Sequence, residues 1–296
     1  MRVLITGAHG QVGHELVRLA PAGFTAIGLG SAELDISNPD QVASKLSELQ
    51  PQLIINAAAY TAVDKAESDS ELAYAVNAKG AENLATAAAK LDVPLLHIST
   101  DYVFSGDANS PYKETDPTNP TGVYGASKLA GELAVANHCA QHIIMRTSWV
   151  FGAHGNNFVK TMLRLAQSRD ELGVVADQHG CPTSAASIAK ALWVLASQYR
   201  NNGNLSWGTY HFSNTPATTW HGFAEEIFSQ AVELKQLQKA PKVNPINTVD
   251  YPTPARRPAW SVMDCSLIEE KLTIEQNDWR EELAEMLKEI ATLTLK

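Results

Sequence analysis

Arg2-Val-Leu-Ile-Thr-Gly-Ala-His-Gly-Gln-Val-Gly13 opens the chain with a short apolar run and then three glycines spaced three apart, Gly7, Gly10 and Gly13. An apolar strand that ends in such a turn and gives way to a helix has the form of a dinucleotide-binding junction. The first glycine makes the tight turn, the second lets backbone approach a pyrophosphate, and the third lets the helix pack close to the strand with its N-terminus toward the phosphates. The spacing is G-x-x-G-x-x-G rather than the commoner G-x-G-x-x-G, so the position at a strand–helix junction carries the reading more than the glycine count does.

Working outward, further apolar runs recur at 25–30, 53–58, 95–100 and 142–147. Amphipathic stretches at 11–19, 39–49, 70–91 and 125–137 separate them. This alternation predicts an α/β fold, a doubly wound parallel sheet of the Rossmann type with right-handed crossovers. After Trp149 the rhythm changes: helices are expected at 156–168 and 184–197, short strands at 173–176 and 210–213, and irregular chain across the proline-spaced 240–257. The expected organisation is a dinucleotide-binding domain over 1–148, to which parts of 171–200 return, and a smaller C-terminal substrate-binding lobe over 149–296. Trp279, Leu283, Met286, Leu287, Ile290 and Leu293 form a stripe at helical spacing, read as a terminal helix docking on its own core.

Composition narrows the function classes. Of 296 residues, 45% are hydrophobic and 19% charged, which suffices for a substantial core. A net charge of −9 argues against nucleic acid as a partner. No apolar stretch reaches the roughly 18 residues of a membrane span, so no membrane partner is expected. The run before Gly7 is too short for the apolar core of a signal peptide. Cys139, Cys181 and Cys265 lie far apart without a C-x-x-C, which fits a reducing, cytoplasmic setting. The histidines show no H-E-x-x-H, so metal catalysis has no support in the sequence.

The end of the second apolar run holds Gly30-Ser31, where many NAD-binding folds carry an acid for the adenosine ribose. Without a carboxylate there, a 2′-phosphate is allowed, and without an arginine it is not demanded, so NADPH and NADH both stand as cofactors. Asp35 and Ile36 could hold the adenine edge, or Asp35 could simply cap a turn. Asn56-Ala-Ala-Ala-Tyr-Thr61 ends the third run, and its small residues permit close approach of a ligand.

Reducing a ketone needs a hydride donor, a proton donor for the alkoxide and a group that orients the oxygen. Of the eight tyrosines only Tyr124 has a lysine four residues on, Lys128. On a helix the two share a face, and an ammonium beside a phenol lowers its pKa from about 10. The spacing alone is common, at roughly one chain in two of this length. Its placement after Asn119-Pro120, at a predicted helix start beyond the fourth strand, gives it weight. That strand ends in Ser99-Thr100, with Thr100 placed to donate to a substrate carbonyl.

Taken together, Gly7-x-x-Gly10-x-x-Gly13, Asn56-Ala-Ala-Ala, Ser99-Thr-Asp and Pro120-x-x-x-Tyr124-Gly-x-Ser-Lys128 resemble the extended short-chain dehydrogenase/reductase family. Ser99-Thr-Asp-Tyr-Val-Phe-Ser-Gly106, Arg146-Thr-Ser-Trp-Val-Phe151 and Tyr251-Pro-Thr-Pro-Ala-x-Arg-Pro258 extend the likeness to its sugar-nucleotide ketoreductases. The resemblance implies NAD(P)H-dependent reduction of the C4 ketone of dTDP-4-dehydro-6-deoxy-L-mannose to dTDP-L-rhamnose, a surface-polysaccharide precursor. It implies Tyr124 as proton donor, Lys128 as its partner and ribose ligand, and Thr100 as the group that tunes the carbonyl. Gly10, Gln11 and Val12 would line the pyrophosphate, with Gly7 and Gly13 completing the cofactor-binding turn, Asp35 and Ile36 would line the adenine, and Ala58, Ala59, Tyr60 and Thr61 the length of the cofactor. Thr100, Asp101, Tyr102, Trp149 and Arg257 would contact the dTDP-sugar, with Arg256 and Arg257 both candidates for its diphosphate.

Some relatives hold Mg2+ with acidic residues at a homodimer interface. Glu15 matches one of these acids, but Ala185-Ala186-Ser187 offers no acid where a second is expected, so a homodimer stands as a possible partner while a metal bridging it is doubtful. The competing activities are a 4,6-dehydratase, a 4-epimerase or another sugar-nucleotide ketoreductase. Dehydration needs an Asp-Glu pair, and here Asp101 is followed by Tyr102. A non-catalytic alternative is a regulatory subunit like that of methionine adenosyltransferase, which shares these motifs.

Overall fold

A computed structural model describes residues 1–294. Five parallel strands, β1 (Arg2–Thr6), β2 (Thr25–Leu29), β3 (Leu53–Asn56), β4 (Leu95–Thr100) and β5 (His142–Thr147), are joined at one edge by Gly208–His211. The spatial order is Gly208–His211, β5, β4, β3, β1, β2, and all neighbours run parallel. The chain steps outward from β1 to β2 and then crosses back to β3. The connections therefore part between β1 and β3, where a crevice opens at the carboxyl ends of the strands.

Strand periodicity divides the core. Val3, Ile5, Ile55, Leu96 and Met145 face one side, packed with helices Gln11–Arg18 and Ala185–Asn202. Leu4, Ile54, Leu95 and Ile144 face the other, with helices Pro39–Leu49 and Ala81–Leu91. Trp193 ties the first layer together by donating its indole N–H to the Leu16 carbonyl at 2.9 Å.

A separate cluster gathers Phe151, Val159, Phe223, Phe228 and Trp279 from later segments. The terminal helix Trp279–Thr294 buries Trp279, Leu283, Met286 and Leu287 in that cluster and packs Ile290 against it, while Leu293 is exposed. Docking on the chain's own core is thus the outcome for the stripe.

Two local expectations change. The predicted helix over 70–91 is interrupted: Ser70–Tyr74 and Ala81–Leu91 are α-helical, and Ala75–Gly80 between them is a π-helix. The proline-spaced segment is not wholly irregular, because Lys242–Ile246 pairs in parallel with Glu171–Val175. Pro245 is tolerated because a two-stranded sheet leaves one side of the strand free of ladder bonds.

Candidate active site

The carboxyl ends of the strands open into a cleft of about 1040 Å³. At its floor Gly7 has φ +67°, and a Cβ there would lie 2.6 Å from the Ala57 carbonyl oxygen, so the turn after β1 requires glycine. Gly13 is one turn inside the helix and does not line the cleft. A Cβ on it would meet the Gly7 carbonyl oxygen at 2.1 Å, which makes it the close-packing glycine. Gly7, Gly10, Gln11 and Val12 line the cleft, as do Asp35, Ile36 and the run 58–61. Asp35 also caps its own turn, accepting from the Ser37 N–H at 2.9 Å and the Ser37 hydroxyl at 2.7 Å.

The strand ends are tied by buried polar groups. Thr6 Oγ1 donates to Asn56 Oδ1 at 2.7 Å, and Asn56 Nδ2 donates to His97 Nδ1 at 2.9 Å, which links β1, β3 and β4. Asn77, on the π-helical turn, clamps Tyr60 by accepting from its N–H at 2.8 Å and donating to its carbonyl at 3.1 Å.

Helix Val123–His138 carries Tyr124, Lys128 and Glu132 four residues apart on one face. Burial pushes the Tyr124 phenol up to about 12, and the Thr100 hydroxyl draws it back in part. Lys128 Nζ donates to the Ile98 carbonyl at 2.7 Å. Burial lowers that ammonium to about 8, and the charge of Glu132 opposes the fall. The expected lowering of the phenol by the lysine is therefore not what this geometry gives: desolvation of the ring prevails, and the ammonium is turned to a β4 carbonyl.

Thr100 Oγ1 donates to Asp101 Oδ1 at 3.0 Å. Asp101 is buried, which raises its carboxyl to about 7 against the pull of the Thr100 and Ser261 hydroxyls. Its Oδ2 has no partner among the described residues. Tyr102 meets the Tyr124 ring edge-on at 5.4 Å, and burial pushes its phenol up.

Trp149 has φ +48°, an unusual backbone for a bulky residue. Its indole stacks on Trp220 at 3.6 Å. Arg257 Nη2 reaches Asp64 Oδ2 at 2.7 Å across 193 residues, and its buried Nη1 is unpartnered among the described residues. Arg256 pairs instead with Asp107 at the surface, so of the two arginines only Arg257 lines the cleft.

Several cleft features were missed by sequence reasoning. Trp220 and Phe158 build the aromatic wall with Trp149. Asn157 Nδ2 donates to Gln11 Oε1 at 2.9 Å and pins a late loop to the glycine turn. Beneath Thr100, Glu132 accepts from Ser99 Oγ at 2.5 Å and from Arg146 Nη2 at 2.7 Å. Arg146 also approaches His211 Nε2 at 3.4 Å. Burial and the Arg146 charge hold that imidazole down near 3, so it is neutral and accepts. Only the four-residue spacing of Lys128 and Glu132 could have hinted at this.

Glu15, His154 and Glu289 bring ligand atoms within 4.8 Å of one another. The arrangement does not fit Mg2+, which asks for an octahedron of oxygens. Arg18 already holds Glu15 through Nε at 3.0 Å and through Nη2, and lies 3.8 Å from Glu289, while His154 offers nitrogen and residue 185 is a buried alanine.

The family model described as "RmlD substrate binding domain" matches residues 1–292. A dTDP-4-dehydrorhamnose reductase of Aggregatibacter actinomycetemcomitans is 47% identical, covering 95% of this chain and 97% of the relative. This chain belongs to the dTDP-4-dehydrorhamnose reductase family. Among solved structures of that family, the Clostridium acetobutylicum protein superposes with a TM-score of 0.90 at 39% identity, over 98% of this chain and 100% of the other. The Bacillus anthracis protein, in complex with NADP, gives 0.89 at 40% identity over 97% and 99%. Family membership also accounts for the doubly wound sheet. Among the described residues no helix is long and apolar enough to cross a membrane.

Proposed function

We propose that this chain reduces the C4 ketone of dTDP-4-dehydro-6-deoxy-L-mannose to dTDP-L-rhamnose. The observation that carries the reading is the convergence of the glycine turn, Thr100, Tyr124, Lys128 and the Trp149–Trp220 wall on one cleft. Bound NAD(P)H supplies the hydride. Tyr124 gives its proton to the oxygen of the new alkoxide, and a phenol held near 12 keeps that proton until negative charge develops beside it. Thr100 orients the ketone oxygen, and Lys128 places a cation under the ribose end of the site. Asp101, near 7, is neutral often enough to donate to a sugar hydroxyl. Arg257, with Nη1 still free to donate, faces the diphosphate.

The organisation we propose has a dinucleotide-binding unit over 1–148 and a substrate lobe mainly after 149. It is supported by helix Ala185–Asn202 packing in the core of the sheet and by the separate aromatic cluster of later segments.

The test is direct. The purified chain, given the 4-keto sugar nucleotide and each reduced coenzyme, should consume the coenzyme and yield a dTDP-6-deoxyhexose with L-rhamno configuration. Coenzyme loss without that sugar, or no loss at all, refutes the reading. Tyr124→Phe should lower kcat by about 10²–10⁴-fold while coenzyme affinity stays within about twofold by the same reasoning. Full activity in that variant would remove the phenol from the mechanism.

A further inference from the structure

The chain supplies at the end of β2 a carboxylate that its sequence places elsewhere. After Gly30 the backbone doubles back: the N–H groups of Glu33 and Leu34 donate to the Gly30 carbonyl at 3.1 and 3.0 Å. The Gly30 N–H in turn donates to Glu33 Oε2 at 2.6 Å. Gly30 and His9 line the cleft and Glu33 does not, so this turn holds a negative charge one hydrogen bond behind the lining, just past the end of β2.

The surroundings do little to cancel that charge. Within ion-pair distance, among the described residues, Glu33 meets one basic group, His9, whose Nε2 lies 3.9 Å away and is well exposed. The same end of the cleft is lined by His9, Gly30, Ser31, Leu34, Asp35 and Ile36, with neither lysine nor arginine. Asp35 adds a second acid, already engaged by Ser37.

An acid about 20 residues beyond the glycine turn is the group that recognises an adenosine ribose 2′-hydroxyl in doubly wound folds, and an arginine there accommodates a 2′-phosphate. Glu33 stands at that distance from Gly13. We propose that Glu33 is a coenzyme-specificity residue, which makes this chain bind NADH more tightly than NADPH. The inference rests on the reductase reading of the cleft and sharpens it.

A 2′-phosphate carries close to two negative charges at neutral pH. Placed beside a carboxylate on a partly wet rim, it loses about tenfold or more in affinity. A 2′-phosphate bound beside Gly30 would bring its charge next to that carboxylate, whereas a ribose hydroxyl brings none. The relative from Bacillus anthracis was solved with NADP, so the preference would be a property of this turn and not of the fold.

Calorimetric titration of the full chain with NADH and with NADPH, in the absence of sugar nucleotide, tests this without any turnover. The expected result is NADH tighter by about tenfold or more, with the gap narrowing in about 0.5 M salt as the repulsion is screened. Glu33→Gln should bring the two affinities within about threefold, mainly by improving NADPH. Half exposure of Glu33 makes that variant a mild one for folding, and an unchanged Tm checks it. Equal or tighter NADPH binding in the wild type, or an unchanged ratio in Glu33→Gln, overturns the proposal alone. Binding of neither coenzyme overturns it together with the reductase reading.

Discussion

Under the cleft, the parallel sheet buries Asn56, His97, Ser99, Glu132, Arg146 and His211, each with at least one hydrogen-bond partner. The cluster of later segments instead buries Phe151, Phe223, Phe228 and Trp279. The two regions are comparably dry but are held together differently. Polar groups in a low dielectric are worth little when paired and cost a great deal when one partner goes. They fix geometry at the price of tolerance. Aromatic packing is less directional and forgives volume-conserving change. The region that carries Thr100, Tyr124 and Lys128 uses the first, and the aromatic cluster of the later segments uses the second.

The largest break should come from splitting the buried pair. Arg146→Met strips the buried Glu132 of its guanidinium partner and leaves only the Ser99 hydroxyl donating to it, so urea unfolding should show a loss of about 3–5 kcal/mol. Adding Glu132→Gln to it should return most of that loss, and a double variant no more stable than the single would show that the pair is not the unit. A change of intermediate size sharpens the cost of function. Lys128 falls from 10.5 to about 8 in the folded state. Between those values the unfolded chain holds the proton and the folded chain does not, so this residue adds stability as pH rises from about 8 to 10.5 and is a burden below it. Lys128→Met should therefore raise stability at pH 7, by on the order of 1–3 kcal/mol, while abolishing turnover. That gain should shrink toward pH 10. A Tm that falls at pH 7 would show that the bond to the Ile98 carbonyl outweighs the desolvation. The smallest effect belongs to the aromatic cluster, where Phe228→Leu should cost at most about 1.5 kcal/mol and leave kcat unchanged.

The apolar runs became β1 to β5 with ends shifted by at most two residues, because a strand buried on both faces is marked by continuous apolarity. Tyr124 and Lys128 share a helix face because four-residue spacing dictates it. Among the candidate cleft residues, Arg257 was legible only as one of two adjacent arginines. Asp64, far back in the chain, selects it, and no local pattern encodes a partner 193 residues away.

What the sequence by itself determined are features set within a few residues: the glycine turn after β1, the alternation of strand and helix, and the ladder of functional groups on helix Val123–His138. Tertiary structure decided the rest. It stacked Trp220 on Trp149, tied Asn157 to Gln11, turned Lys128 toward a strand carbonyl, and folded Glu33 back onto Gly30. The division is physical. Backbone propensity and periodicity act over one turn or one strand. Desolvation, charge pairing and pKa depend on which distant groups displace water, and the closed chain alone settles that.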